Sequence, residues 1–204
     1  MARAPSPWLV PAVVTGGLLP LGEFLLRAAT STLGAEPVAF VLNRLGLLAL
    51  VFLLLGLACT PLRFLLEVTW PARLTRVLGL LGFGYAAAHL LLYVLVDQGL
   101  DLAVLWKDVT ERPFLSVGLA AFAALVPLAW TSRNASIRRM GFDRWKRLHR
   151  LAYVAAALGV VHFWLRVKKD LTEPAAYGTV LLLLLGLRAV RWDLQRRRAA
   201  RGMG

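Results

Sequence analysis

Cysteine occurs once in the 204 residues, at Cys59. A single thiol excludes an internal disulfide, a multi-cysteine metal site and a CxxC redox pair, and leaves a small apolar residue at the end of a span. Acid is scarce as well: 11 Asp and Glu stand against 24 Lys and Arg, a formal charge of +13. No Gly-rich phosphate loop, nucleophile–base pair or metal-hydrolase cluster can be picked out. Most telling is the lack of any polar stretch long enough for a soluble domain. The longest connectors, at about 60–73, 97–112 and 131–147, are each under 20 residues.

What fills the chain instead is apolar sequence, 59% by composition. Runs of about 18 or more such residues are long enough to cross a bilayer as helix. Six occur, at about 8–26, 37–59, 74–96, 113–130, 148–165 and 174–190. The expected fold is therefore an all-α membrane protein, a six-transmembrane-helix bundle forming one domain over 1–204. The first run is long for a signal peptide, contains Glu23 and is followed by no A-x-A cleavage site, so it reads as a retained helix.

The basic excess sits between the spans, which ties it to topology and anionic lipid and argues against nucleic acid. Residues 131–147 carry six cations and one acid, and the tail beyond span six is likewise basic. Residues 97–112 are net acidic, with Asp97, Asp101, Asp108 and Glu111 against Lys107 and Arg112. By the positive-inside rule both termini and the 2–3 and 4–5 loops face the cytoplasm (N-in/C-in). The 5–6 loop, with Arg166, Lys168 and Lys169, fits least well. All 7 tryptophans fall near span ends or in connectors, as an interfacial anchoring belt does. Residues 137–148 alternate apolar and basic side chains at helical spacing. They read as an amphipathic segment broken near Gly141, either lying on lipid or receiving a cytoplasmic electron donor.

Histidine is rare too, with 3 in the chain: His89, His149 and His162. An ionisable ring inside an apolar span is costly and points to function. Spans three and five run in the same direction. At 1.5 Å per residue His89 lies about 22 Å into its span and His162 about 21 Å into its own, so the two rings share a depth. Matched imidazoles on two helices are what a haem iron needs on its two sides. Hydrogen-bonded packing of each ring is the plain alternative, and zinc would want more ligands. Small residues Gly82, Ala86, Ala155 and Gly159 lie a turn or two away. They either make room for a flat macrocycle or serve ordinary helix packing. His149, about 20 Å nearer the cytoplasm, could hold a second haem, a flavin, a quinone head group, or nothing. Arg76, 13 residues before His89, and Arg44 in span two could each face a cofactor carboxylate or phosphate, or simply snorkel to the surface.

Several segments taken together resemble a known family: TPLR at 60–63, A-H-L-x-x-Y around His89 and Tyr93, E-R-P-F at 111–114, R-W-x-x-L-H-R-x-x-Y at 144–153 and VHFW at 161–164. Their order and spacing resemble the haem-binding membrane subunit of the bacterial periplasmic methionine sulfoxide reductase system, the MsrQ or YedZ family, within the ferric reductase-like transmembrane superfamily. The resemblance implies a multi-pass protein of the bacterial inner membrane carrying b-type haem, one or two per chain, and FMN. It implies electrons drawn from the quinone pool or a cytoplasmic flavin reductase. They would pass to a periplasmic molybdopterin catalytic subunit (MsrP-like) that repairs oxidised periplasmic proteins. Carried over by position, His89 and His162 are the axial pair, and His149 is the other histidine of the fifth helix. The superfamily has two histidines on the third helix where this chain has one. The expected role is electron relay without substrate chemistry in this chain. A cofactor-free transporter or channel, another haem-linked oxidoreductase of the superfamily and a structural scaffold are the rivals.

Overall fold

The computed structural model describes residues 7–201, and among them every regular element is helical. Six helices are long and apolar enough to cross a membrane. They are α1 (Leu9–Ala29), α2 (Pro37–Leu65), α3 (Pro71–Leu92) with its continuation to Asp97, α5 (Pro113–Trp130), α8 (Leu151–Arg166) together with the helical stretch that leads into it from Phe142, and α9 (Thr172–Arg201). A π turn over Tyr93–Asp97 continues α3. Three short helices fill the connectors: α4 (Leu102–Glu111), α6 (Asn134–Met140) and α7 (Phe142–Leu148). The amphipathic stretch breaks where expected, at Gly141, whose φ of 78° is left-handed and suits a residue without a side chain. Proline starts α2, α3 and α5, where a missing N–H costs nothing because the first turn has no acceptor for it.

Helix α4 lies in a connector that the apolar runs left without structure. Its start is set by Asp101, whose carboxylate accepts from the N–H groups of Ala103 and Val104. Its end is tied back by Asp108, which is buried and takes the Tyr93 hydroxyl at 2.7 Å and the Arg112 Nε at 3.1 Å.

The bundle is built around α2. Half of its most apolar stretch is buried, against 11–17% for the other five spans. One face, with Leu45, Ala49, Phe52 and Cys59, packs on Phe24 of α1 and on Leu74, Leu78 and Tyr85 of α3. The other face, with Leu50, Leu54 and Leu57, packs on Ala156 and Val160 of α8 and Leu181 of α9. Helices α5 and α8 close the far side through Leu125, Leu128 and Ala155. Lipid offers apolar contact as good as protein does, so close fit and internal hydrogen bonds hold such a bundle. Tyr85 supplies both: its ring stacks on Phe52 at 5.3 Å and its hydroxyl donates to the Gly17 carbonyl at 2.6 Å.

Side-chain contacts show which helix ends lie together. Phe24 meets Phe40, Arg166 meets Asn43, His162 meets the Phe114 carbonyl and His89 meets the Leu42 carbonyl. This is the end that carries the 97–112 connector, called the acidic end below. Arg76 meets Asn134, Trp145 meets Thr131 and Arg188 meets Leu57 towards the other, basic end.

The Arg188 contact has a cause in the sequence. Pro61 sits inside α2 and has no N–H for the carbonyl of Leu57, four residues earlier. Arg188 on α9 donates to that carbonyl instead. The ring of Tyr153 lies 5.3 Å from its guanidinium carbon and faces the remaining charge. An interhelical bond thus replaces an intrahelical one. Replacing Pro61 by Ala restores the N–H and removes the need for Arg188. Arg188→Leu is therefore expected to cost about 1 kcal/mol less in the Pro61→Ala background than in the wild type. Unfolding of the four proteins in detergent measures this, and strictly additive effects would show that the two residues do not share the carbonyl.

Candidate functional site

His89 and His162 are brought together. Their ring centres are 6.2 Å apart and their planes are nearly perpendicular, at 81°. His89 comes from the last turn of α3 and His162 from the penultimate turn of α8, so the depth match expected from counting residues becomes a lateral meeting. Each ring is half-buried and each is anchored in the same way. The Nδ1 of His89 donates to the Leu42 carbonyl of α2 at 2.9 Å, and the Nδ1 of His162 donates to the Phe114 carbonyl of α5 at 2.7 Å. A carbonyl only accepts, so Nδ1 carries the proton in both rings and Nε2 keeps its lone pair.

The anchors depend on two glycines. A helix carbonyl already takes the N–H four residues on, and a second donor can reach it only where the helix surface is bare. Four residues after Leu42 comes Gly46, and four after Phe114 comes Gly118. A Cβ on Gly46 would lie 3.2 Å from two atoms of the His89 ring. A Cβ on Gly118 would lie 2.6 Å from Nδ1 of His162, closer than such atoms approach. The same device thus occurs twice, a carbonyl followed at four residues by a glycine, once for each imidazole.

The small residues expected to flank the rings do other work. A Cβ on Gly82 would meet Leu53 at 3.1 Å and the Ala49 carbonyl at 3.3 Å, so Gly82 packs α3 onto α2. Gly159 faces Leu50, and Ala155 is wholly buried against α5. Ala86 packs among the apolar residues of α2, α3 and α5. Helix packing accounts for all four.

His149 is not part of the pair. It stands at the junction of α7 and α8, 13 residues from His162 and about 20 Å along the helix axis. Its Nε2 lies 3.1 Å from the Thr131 hydroxyl, whose own proton goes to the Pro127 carbonyl at 2.6 Å. The hydroxyl therefore accepts, Nε2 carries the proton, and His149 is the opposite tautomer to the other two. The Trp145 ring stacks on it at 4.0 Å and donates to the Thr131 carbonyl. Trp145 thus has partners inside the protein as well as its place near a span end.

Arg76 donates to the Asn134 side chain at 2.7 Å, joining α3 to α6. Arg44 is exposed and lies over the Phe40 ring at 5.6 Å, a ring it shares with Arg27 of α1. The residue that counting from span ends missed is Arg166, one turn beyond His162. It donates to Asn43 of α2 at 2.7 Å. The signal was present as the i, i+4 spacing of His162 and Arg166, which sets both on one helix face. Among the described residues no three His, Cys, Asp or Glu side chains gather as a metal site. The chemistry available here is two neutral imidazole nitrogens in an apolar bundle, beside one guanidinium.

Known proteins agree with this outline. Residues 43–160 match the family described as the ferric reductase like transmembrane component. A Deinococcus radiodurans protein called protein-methionine-sulfoxide reductase heme-binding subunit MsrQ is 48% identical over 203 residues, which is 98% of this chain and 100% of that one. Proteins of the same name from Ralstonia nicotianae and Rhodospirillum rubrum are 46% and 45% identical. They cover 84% and 93% of this chain and 80% and 91% of their own lengths. The chain belongs to the MsrQ family. With six membrane-spanning helices, it is a multi-pass protein of the bacterial inner membrane. The matched region opens at Asn43 and takes in Gly46, His89 and Gly118, so it spans most of the arrangement just described.

The glycine device can be tested directly. Gly118→Ala places a methyl where the His162 ring now lies and should push the ring off the Phe114 carbonyl. Its Nδ1–H then loses its acceptor, and exchange of that proton with solvent, read by NMR of histidine-labelled protein, should be several-fold faster than in the wild type. The same change at Gly84, whose Cβ would meet nothing within 4 Å, should leave the rate unaltered.

Proposed function

We propose that this chain is the electron-transfer subunit of a methionine sulfoxide reductase system, with His89 and His162 as the axial ligands of a b-type haem. The facing imidazole pair carries the reading. The ring centres lie 6.2 Å apart, and each ring ties its Nδ1 to a carbonyl, so Nε2 of His89 and Nε2 of His162 are the atoms that would hold a haem iron. Anchoring each Nδ1–H on a backbone carbonyl fixes the tautomer, orients the ring and raises the basicity of the nitrogen left to bind. The relatives' name, heme-binding subunit, supports the same cofactor.

A bound haem supplies one-electron redox chemistry whose potential is set by its ligands, burial and hydrogen bonds. The residues of this chain do the rest. The two carbonyl-anchored rings hold their nitrogens in place through a change of oxidation state, and the apolar walls of α2, α3, α5 and α8 exclude water. The basic end faces the cytoplasm in the N-in/C-in arrangement. There the quinone pool or a cytoplasmic flavin reductase delivers electrons near His149 and Arg76, which mark the place for FMN or a second haem. The acidic end faces the periplasm, where the 3–4 and 5–6 loops receive a molybdopterin-containing catalytic subunit that reduces methionine sulfoxide in oxidised proteins. Sulfoxide reduction consumes two electrons and two protons and releases water, so a one-electron carrier delivers twice per turnover. A transporter path would need polar groups strung along the bundle. The two paired imidazoles each donate to a backbone carbonyl instead, and Arg188 gives one of its donors to a third.

The test is a reduced-minus-oxidised visible spectrum of the purified protein. His89→Ala and His162→Ala should each abolish the haem signal of the acidic-end site while the protein still inserts. His149→Ala should leave that signal in place. Unchanged haem content in both of the first two variants refutes the ligand assignment.

A further inference from the structure

The imidazole pair accounts for an iron but not for the rest of a haem, which carries two carboxylates at one edge. Arg166 is the cation placed to meet them. It lies on the same face of α8 as His162, one turn nearer the acidic end. Its Nη1 donates to the Asn43 side chain of α2 at 2.7 Å. Asn43 directly follows Leu42, whose carbonyl anchors His89, and precedes Gly46 by three residues. Arg166 and Asn43 therefore bridge α8 to α2 across the acidic-end rim of the space that the two imidazoles define.

Two other arginines at this end are engaged elsewhere. Arg44 lies over Phe40, and Arg112 is paired with Asp108. The three ion pairs among the described residues are Arg27–Glu23, Arg112–Asp108 and Arg197–Asp193. Arg166 belongs to none of them. A guanidinium held by one neutral amide keeps most of its five donors for a further acceptor. Its planar fork matches a carboxylate in two-point fashion.

Resting on the haem reading above, we propose that Arg166, positioned by Asn43, binds the propionate carboxylates of the haem held by His89 and His162. Arg166 thereby sets the orientation of the macrocycle in its slot. A cation there also opposes the extra positive charge of ferric iron, so it raises the reduction potential. An anionic lipid head group would satisfy the same donors, and the test is arranged to separate the two.

The full chain is purified in detergent without haem and titrated with protohaem or with its dimethyl ester, which lacks the two charges. Wild-type protein should bind the diacid at least tenfold more tightly than the ester. Arg166→Leu should lose that preference, and Arg166→Lys should keep part of it. Arg166→Leu should also lower the midpoint potential by a roughly tenfold change in the one-electron equilibrium, about 59 mV. Equal binding of diacid and ester by the wild type overturns the proposal and leaves Arg166 to lipid. So does an Arg166→Leu protein with the full preference and an unchanged potential. If Arg166→Leu does not accumulate, the wild-type comparison of acid with ester decides alone. A wild-type chain that binds neither form removes the haem reading itself, and this inference with it.

Discussion

An imidazole N–H in hydrocarbon needs an acceptor, and inside a helical bundle the acceptors are backbone carbonyls that already hold a bond. A carbonyl has a second lone pair, but side chains on the next turn normally cover it. The chain uncovers two such carbonyls by placing glycine four residues later, at Gly46 and Gly118, and each receives one histidine. That single constraint fixes much else. It sets the tautomer of both rings, since the anchored nitrogen must be the protonated one. It leaves Nε2 as the nitrogen able to act, and it ties four helices together, because α3 leans on α2 while α8 leans on α5. Site and scaffold are held by the same two bonds.

Helix α2 shows how closely they are joined. Its faces form the core with α1 and α3 on one side and with α8 and α9 on the other. Its acidic-end turns supply the Leu42 carbonyl, Gly46 and Asn43. Its basic-end turns contain Pro61, whose missing N–H draws Arg188 across from α9. An interruption in the backbone ladder of one helix thus becomes a link between two. Bilayer interiors favour this outcome, because water is not at hand to satisfy the exposed carbonyl.

The span count, the break at Gly141 and the depth match of His89 and His162 were legible in the sequence because each depends on one variable, distance along a helix. The lateral meeting of the two rings was not, since residue counting gives depth and leaves rotation open. The anchoring glycines escaped for a related reason. Gly46 and Gly118 lie on helices α2 and α5, which contribute no histidine, so reasoning outward from each histidine along its own helix found Gly82 and Gly159 instead. Those two serve packing. Arg166 was visible only as a weak fit to the topology rule, and its other reading needed the i, i+4 relation to His162. Helix α4 was missed because its apolar residues are too few for a span. Its real determinants, the Asp101 cap and the buried Asp108, are polar.

The two ends of the bundle hold their histidines by different means, and the difference bears on how each site tolerates change. At the acidic end the partners of Nδ1 are backbone carbonyls, which substitution cannot remove. The vulnerable positions are the glycines that give access, and any side chain there closes it. At the basic end His149 relies on the Thr131 hydroxyl and on stacking with Trp145, both side chains and both removable singly. A backbone anchor is also the stiffer one, because the carbonyl moves only with its helix, whereas a threonine can change rotamer. The acidic-end pair is therefore the more rigidly held of the two. His149, held by a hydroxyl and an indole, is the one free to adjust.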